Sequence, residues 1–245
     1  MQPNFEDDVS QLENNILPEN WEWISCSKQA KMARYNGSPV CYFKEFIPKS
    51  FLEKLKMKFR GTRCEVWVKQ AHIAMNAGFE VPEIVATGVL KNHHHYLITA
   101  SGPSGAVPEY ILKKPKCDEQ KRQEFIKAFG SYIGKMHRAG IVHGDLRAGN
   151  ILMEPSLPPL FVMIDIERNS QHNVIPISLV KKNLIQLIKR ISFDQFSAKD
   201  RLLFYKHYNS SYQRFDDKQQ KKLAYDVIGL VKKQNLWGGS QNVSQ

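Results

Sequence analysis

The chain has 245 residues, and its 42% hydrophobic and 24% charged fractions are those of an ordinary globular protein, which excludes a disordered or fibrous class. The formal net charge of +11 favours anionic partners such as nucleotide phosphates, nucleic acid, anionic lipid or phosphorylated sugars, although a solvated basic surface would carry the same charge. No run approaches the roughly 18 apolar residues of a membrane-spanning helix, and the acidic segment Met1–Ser10 lacks the features of a secretory signal. We therefore expect a cytoplasmic protein that can lie on a membrane surface.

The first hundred residues have the pattern of a β-rich region with one helix. Five strands are predicted, at Trp21–Cys26, Ala30–Tyr35, Val40–Phe46, Ile84–Leu90 and Tyr96–Ala100. Between the third and fourth strands, Thr62 and Glu65 have the spacing of a capping box, which predicts a helix that runs to about Ala77 and ends at Gly78. The histidine triplet His93–His95, between the fourth and fifth predicted strands, is better explained as a hairpin turn than as a metal site. The four cysteines have no zinc-binding spacing.

The remainder of the chain is predicted to be mainly helical after a break at Ser101–Gly105. Four helices are predicted, at Asp118–Arg138, Ile177–Ile191, Ala198–Tyr208 and Lys218–Lys233. Gly140–Asn150 is predicted to be a loop, which two short strands follow, Ile151–Met153 and Leu160–Ile164. The sequence thus predicts an α+β protein.

The strongest chemical signal is a loop between two apolar runs, in which Asp145 and Asn150 lie five residues apart. In a phosphotransferase, a carboxylate orients the acceptor hydroxyl and can accept its proton, while an amide oxygen holds magnesium on the nucleotide phosphates. Asp165 follows the apolar segment Phe161–Ile164, which is how a second magnesium ligand is presented. Either segment alone could be a surface turn, but both in this order predict a phosphotransferase that uses ATP and Mg²⁺.

Lys44 lies within the third predicted strand, where a protein-kinase-like enzyme places the lysine that contacts the α- and β-phosphates and pairs with a glutamate on the next helix. Glu65, in the first turn of the predicted helix, is the candidate partner, and Glu53 is the alternative. Lys44 could instead point to solvent from an edge strand.

With these residues in place, the chain resembles the bacterial lipopolysaccharide kinases, the Kdo and heptose kinase (Kdo/WaaP) family of the protein-kinase-like superfamily. The resemblance covers roughly Val40–Tyr208 and lies in four segments: His143–Asn150, Ile164–Arg168, Lys182–Leu187 and Asp200–Tyr205. It implies one bilobal kinase-like domain, with residues 1–100 as the nucleotide-binding N-lobe and residues 101–245 as the helical catalytic C-lobe. The break at Ser101–Gly105 is the candidate hinge between the lobes.

The resemblance also implies roles for individual residues. Asp145 would be the catalytic base, and Asn150 and Asp165 would be the magnesium ligands. Lys44 with Glu65 would anchor the phosphates of ATP. The reaction would transfer the γ-phosphoryl group to a sugar hydroxyl of the lipopolysaccharide inner core, on Kdo or heptose, at the cytoplasmic face of the inner membrane.

The implied partner is therefore an anionic glycolipid, lipid A with Kdo or core sugars, with peripheral contact to an anionic membrane. DNA is not an expected partner, and RNA is expected only under one alternative below. Each surface charge is worth on the order of 1 kcal/mol near a charged membrane, although solvated helix faces would look the same in sequence. Three basic clusters would suit such a surface: Lys49, Lys54, Lys56, Lys58 and Arg60; Lys113, Lys114 and Lys116; and Lys181, Lys182, Lys189 and Arg190.

Several positions depart from the pattern of protein kinases. Gly144 replaces the usual arginine before the catalytic aspartate, and Asp-Ile-Glu at 165–167 replaces Asp-Phe-Gly. The connection Ser25–Lys31 contains no glycine, so Ser hydroxyls, backbone N–H groups or Lys28 would have to hold the phosphates. No Ala-Pro-Glu segment follows Asp165, which favours a small-molecule or glycolipid acceptor over regulation by an activation loop.

Two alternatives remain open. An atypical small protein kinase or ATPase that acts with RNA or protein partners, for example in tRNA modification, could share the His-x-Asp-x4-Asn pattern and a basic surface, and its RNA binding would depend steeply on salt. A catalytically silent kinase-like scaffold is favoured by the missing glycines and opposed by the complete set of Asp145, Asn150 and Asp165.

Overall fold

The computed structural model describes residues 5–48, 50, 57, 61–103, 105–112, 118–189, 191 and 195–238. The chain forms two compact units, one made of Met1–His72 and Val81–Gly102 and the other of Ile73–Glu80 and Pro103–Gln245. The roles of residues 1–100 and 101–245 as nucleotide-binding and catalytic lobes stay a prediction. Among the described helices, none combines the length and the apolar character that crossing a bilayer requires.

The predicted elements occur in the expected order, together with one helix and three short strands that the sequence did not indicate. The described helices are α1 (Glu6–Glu13), α2 (Arg63–Asn76), α3 (Glu119–Arg138), α4 (Ile177–Ile188), α5 (Ala198–Tyr212) and α6 (Asp217–Gly238). The strands in the described residues are β1 (Trp21–Cys26), β2 (Ala30–Tyr35), β3 (Cys41–Phe46), β4 (Ile84–Val89), β5 (His95–Ala100), β6 (Gly105–Ala106), β7 (Ile141–Val142), β8 (Ile151–Glu154), β9 (Leu160–Met163) and β10 (Ser170–Gln171). The prediction of a β-rich first part and a mainly helical second part is confirmed.

The first unit is built on an antiparallel sheet with strand order β1-β2-β3-β5-β4. Because side chains alternate along a strand, Cys41 and Phe43 of β3 lie in the core, while Lys44 lies on the other face with Phe46. The Lys44 Nζ is 5.3 Å from the centre of the Phe46 ring. β3 is the middle strand of the sheet, so the alternative that Lys44 lies on an edge strand is wrong.

Helix α1 was not expected from the sequence. Its residues Val9 and Leu12 are buried, and together with Phe5 they join the core that contains Trp21. The Trp21 Nε1 donates a hydrogen bond to Asp8 Oδ2 at 2.9 Å. An eight-residue helix is marginal on its own, so packing against a residue more than ten positions along the chain stabilises it, and local periodicity gives little sign of that.

The second unit is centred on the close packing of α3 against α5. A Cβ atom added at Gly130 would lie 2.4 Å from the carbonyl oxygen of Phe204, and one added at Gly134 would lie 2.4 Å from that of Tyr208. Residues four apart share one face of a helix. These two glycines therefore allow the backbones of α3 and α5 to approach more closely than any larger residue would permit.

A buried ion pair also joins α3 and α5. The two terminal nitrogens of Arg122 donate to the two carboxylate oxygens of Asp200, each at 2.9 Å, and both residues are less than a tenth exposed. Asp200 also accepts hydrogen bonds from the backbone N–H and hydroxyl of Ser197, which completes a capping box at the start of α5.

Two antiparallel pairings position the loops that carry the candidate chemistry. β8 and β9 pair Ile151 with Met163, and β7 and β10 pair Val142 with Ser170. The loop 143–150 and the loop 164–169 therefore both begin and end at paired positions. As a consequence, the two loops lie side by side within the second unit.

Candidate active site

His143 links the two loops. Its Nε2 donates to the carbonyl oxygen of Ile164 at 3.0 Å, and its Nδ1 accepts from the backbone N–H of Asp145 at 3.2 Å. These roles require the neutral Nε2–H tautomer, and burial lowers the pKa of His143, which favours that form. The backbone N–H of Ile164 in turn donates to the carbonyl oxygen of Asn150 at 3.0 Å. The backbone at Asp145 and Asn150 is thus tied to the segment that leads into Asp165.

Asn183 of α4 fixes the backbone of His143. Its Oδ1 accepts from the His143 N–H at 3.1 Å and from His137 Nε2 at 3.2 Å. Its Nδ2 donates to the His143 carbonyl oxygen at 2.7 Å and to Gln186 Oε1 at 3.0 Å. The Tyr208 hydroxyl donates to His137 Nδ1 at 2.9 Å, and burial lowers the pKa of His137 to about 4. Every polar atom of the Asn183 amide is therefore used inside the protein.

Asp145, the predicted catalytic base, is partly buried. Arg147 Nε donates to its Oδ1 at 2.9 Å, and Arg147 Nη2 donates to its Oδ2. These hydrogen bonds hold the pKa of the Asp145 carboxyl below its usual range, against the opposing effect of partial burial. The carboxylate is therefore ionised at neutral pH, which is the form that can orient a hydroxyl and accept its proton.

Gly144 allows Arg168 to lie against the catalytic loop. A Cβ atom added at Gly144 would lie 2.1 Å from the carbonyl oxygen and 2.2 Å from the Cβ of Arg168. A larger residue at position 144 would displace the segment that follows Asp165. The absence of the arginine that protein kinases carry at this position therefore has a steric reason.

The two predicted magnesium ligands lie on the two linked loops. Asn150 Nδ2 donates to the carbonyl oxygen of Asp145 at 2.9 Å, which leaves the amide oxygen Oδ1 as the atom that can meet a metal. Asp165 has a left-handed backbone, with φ 56° and ψ 43°, and its side chain is exposed. Such a conformation is uncommon for a residue with a side chain and concentrates at functional sites.

This donor set fits Mg²⁺. Both side chains offer oxygen, and Mg²⁺ takes one or two protein oxygens and completes its shell with phosphate oxygens and water. Within the described residues, no three His, Cys, Asp or Glu side chains converge as a metal-binding group. A magnesium ion at Asn150 and Asp165 would therefore depend on a bound nucleotide for its other ligands.

Glu65 forms the predicted capping box in the first unit. The Thr62 N–H donates to Glu65 Oε2 at 2.7 Å, and the Glu65 N–H donates to Thr62 Oγ1 at 3.2 Å. The backbone hydrogen bond from Thr62 is the main reason that the pKa of Glu65 is lowered. Its pairing with Lys44 stays a prediction, and the alternative partner Glu53 lies outside the described residues.

Sequence reasoning missed a neighbour of Lys44. Glu45 is buried, with His94 Nδ1 at 2.6 Å from its Oε1 and Lys31 Nζ at 3.6 Å from its Oε2, so β3 carries a structural carboxylate next to the candidate phosphate-binding lysine. Two of the predicted basic clusters, at 49–60 and 113–116, lie outside the described residues. The same is true of Arg190 in the third cluster.

Sequence reasoning also missed three residues of the catalytic region. Asn183 and His137 support the loop from helices that are distant in sequence. Asn183 lies in the resembling segment Lys182–Leu187, but nothing in that segment assigned it a role, and no local pattern marks His137. Arg147 lies in the segment His143–Asn150, two residues after Asp145. This short spacing was the only sign in the sequence that Arg147 could contact the Asp145 carboxylate.

Comparisons with known proteins agree with this architecture. The solved structure of WaaP in complex with acyl carrier protein superposes with a TM-score of 0.58 at 17% identity, covering 94% of this chain and 95% of that one, and so shares the fold. An EKC/KEOPS complex subunit of Schizosaccharomyces pombe is 37% identical over 71 residues, which are 29% of this chain and 29% of that protein. The EKC/KEOPS complex subunit bud32 of Dictyostelium discoideum is 27% identical over 128 residues, 51% of this chain and 49% of that protein.

The chain spans less than half of the length of these two curated relatives. The model of the lipopolysaccharide kinase (Kdo/WaaP) family, in contrast, matches residues 41–208, which is more than half of the chain and includes both loops of the candidate site. The protein therefore belongs to the lipopolysaccharide kinase (Kdo/WaaP) family.

Proposed function

We propose that this protein is an ATP-dependent kinase that transfers the γ-phosphoryl group to a sugar hydroxyl of the lipopolysaccharide inner core, on Kdo or heptose, at the cytoplasmic face of the inner membrane. The observation that carries the proposal is the pair of hydrogen bonds through Ile164, which join the loop of Asp145 and Asn150 to the loop of Asp165. Membership of the family supports a phosphotransferase with a hydroxyl acceptor.

In the proposed reaction, Asp145 orients the acceptor hydroxyl and takes its proton as the hydroxyl oxygen bonds to the γ-phosphorus. The bond from that phosphorus to the bridging oxygen breaks, and ADP leaves. Asn150 and Asp165 would hold Mg²⁺, which when bound neutralises charge on the phosphate oxygens. Lys44 would contact the α- and β-phosphates, with Glu65 as its partner.

The test is transfer of labelled γ-phosphate from ATP to a panel of lipid A precursors with and without Kdo and heptose, with protein and RNA as control acceptors. Asp145→Asn should lower transfer about 10²–10⁴-fold, the contribution typical of a general base, with little change in nucleotide affinity. Asp7→Asn removes an exposed carboxylate of the first unit and should change neither. Near-normal transfer by Asp145→Asn would overturn the assignment of the base.

A second candidate has specific support. The matches to EKC/KEOPS complex subunits and the net charge of +11 favour an atypical kinase or ATPase that acts with RNA or protein partners. Phosphorylation of the protein control, or ATP hydrolysis that RNA stimulates and salt suppresses, with no labelling of any glycolipid, would favour this candidate.

Two further arms of the experiment concern partners and catalytic competence. Because the WaaP structure contains acyl carrier protein, the panel should be run with and without that protein. A wild-type protein that binds ATP but is no more active than Asp145→Asn on any acceptor would favour a catalytically silent scaffold.

A further inference from the structure

Asp145 is already engaged by another side chain in the structure. The Nε and Nη2 atoms of Arg147 donate to the two carboxylate oxygens of Asp145, which are the atoms that an acceptor hydroxyl must contact. Each carboxylate oxygen can accept more than one hydrogen bond, so an acceptor hydroxyl would share these atoms with Arg147 unless the fork opens. The side chain of Arg147 is 47% exposed and that of Asp145 is 26% exposed. Ion pairs in such positions contribute little net stability because water screens them. Opening the pair is accordingly easy when another anion replaces the carboxylate.

A second arginine, Arg168, lies against the loop that carries Asp145. The backbone and Cβ of Arg168 lie in the space that a side chain at Gly144 would occupy, so the glycine brings Arg168 to the catalytic loop. Its positive charge favours the ionised form of Asp145. Arg168 is exposed, and among the described residues its guanidinium has no hydrogen-bond or ion-pair partner.

One guanidinium group therefore contacts the Asp145 carboxylate, and the positive charge of a second acts on the same group. Asp165 also acts on Arg147, so the guanidinium of Arg147 has carboxylate neighbours on both loops. The planar fork of a guanidinium matches carboxylate and phosphate groups in bidentate geometry. An acceptor that brings its own anion would satisfy Arg147 at the moment when Asp145 is released.

We propose that Arg147 and Arg168 select acceptors that carry a carboxylate or phosphate close to the hydroxyl that is phosphorylated, and that Arg147 exchanges Asp145 for this group when the acceptor binds. This inference rests on the proposed kinase function and adds the residues that read the acceptor. A neutral acceptor leaves Arg147 on the carboxylate of Asp145, so discrimination arises from the contact that only an anionic acceptor gains.

The test compares two acceptors that differ by one charge, the methyl glycoside of Kdo and the methyl ester of the same glycoside. The measured quantity is the ratio of kcat/KM for the acid to kcat/KM for the ester. Arg147→Gln and Arg168→Gln should each lower this ratio about 10–100-fold, as expected for loss of a hydrogen-bonded charge contact. Arg147→Lys should recover part of the ratio because it keeps the charge without the fork.

Arg138→Gln is the matched control, because Arg138 is an exposed arginine at the end of α3 that contacts Gln213 instead of the site. It should leave the ratio unchanged. An equal loss on both acceptors in Arg147→Gln would overturn the inference and indicate contact with the transferred phosphoryl group. An unchanged ratio in both site variants would overturn it as well.

Binding gives a second readout that does not require turnover. The two glycosides are titrated into the protein with Mg²⁺ and a non-hydrolysable ATP analogue, and binding is followed by broadening of the sugar NMR signals. The acid should bind the wild-type protein more tightly than the ester, and Arg147→Gln should remove this preference. A wild-type protein that binds the acid selectively but transfers phosphate to nothing refutes the kinase function alone, whereas active transfer without acid preference refutes this inference alone.

Discussion

Replacing Asn183 with alanine tests whether this residue holds the catalytic loop. The change leaves three buried groups without their partner: the N–H and C=O of His143 and the Nε2–H of His137. An unsatisfied buried group costs about 1–3 kcal/mol. Water can enter the space left by the amide, so we expect about 1 kcal/mol for each of the three groups. The free energy of unfolding should therefore fall by about 3 kcal/mol.

Urea unfolding followed by circular dichroism measures this loss. With a slope of about 2 kcal/mol per M, the midpoint should fall by about 1.5 M. Asn14→Ala is the control, because Asn14 is exposed and donates a single hydrogen bond to Ser10, and it should change stability by less than about 0.5 kcal/mol. Hydrogen exchange at the His143 amide should also accelerate. An Asn183→Ala midpoint within about 0.3 M of the wild type would show that Asn183 does not stabilise the loop through these hydrogen bonds.

Three other perturbations follow from the second unit. Gly144→Ala should lower transfer at least about tenfold and lower the thermal midpoint, because its Cβ would meet the Arg168 carbonyl oxygen at 2.1 Å; wild-type kinetics would contradict this. Arg122→Met should lower the free energy of unfolding in urea by about 3–5 kcal/mol, because it leaves Asp200 charged and buried. The double variant Arg122→Met with Asp200→Leu should lose less. Burial lowers the pKa of His137 from 6.5 to about 4, so protonation favours the unfolded chain. The stability that His137 contributes above pH 6.5 should therefore decline as the pH falls towards 4. Urea titrations at several pH values should show a steeper decline in the wild type than in His137→Gln.

Features that depend on nearby residues were predictable from the sequence. The capping box of Thr62 and Glu65 spans three positions, and the structure contains both of its hydrogen bonds. β8 and β9 were expected within one residue of their bounds, because a short continuous apolar run marks each of them separately. The spacing of Asp145, Asn150 and Asp165 gave the candidate site for the same reason. The two-residue strands β7 and β10 were not predicted, because so short a strand has no pattern of its own.

Features that depend on tertiary packing were not predictable. Helix α1 is stabilised through Trp21, and its own eight residues carry only a weak signal. Asn183 bonds to a residue 40 positions earlier, and an asparagine on an amphipathic helix has no local feature that distinguishes a buried hydrogen-bonding role from an exposed one. The steric reason for Gly144 also appears only when Arg168 is placed beside it.

The pairing of β8 with β9 has a consequence for how the protein folds. His143 and Ile164 are 21 positions apart, so the loop closed by their hydrogen bond is short and its entropy cost is modest. Contacts of such low sequence separation form quickly. The candidate base and both candidate magnesium ligands are therefore encoded in one short stretch of chain, which we expect to assemble as a local hairpin before the flanking helices dock onto it.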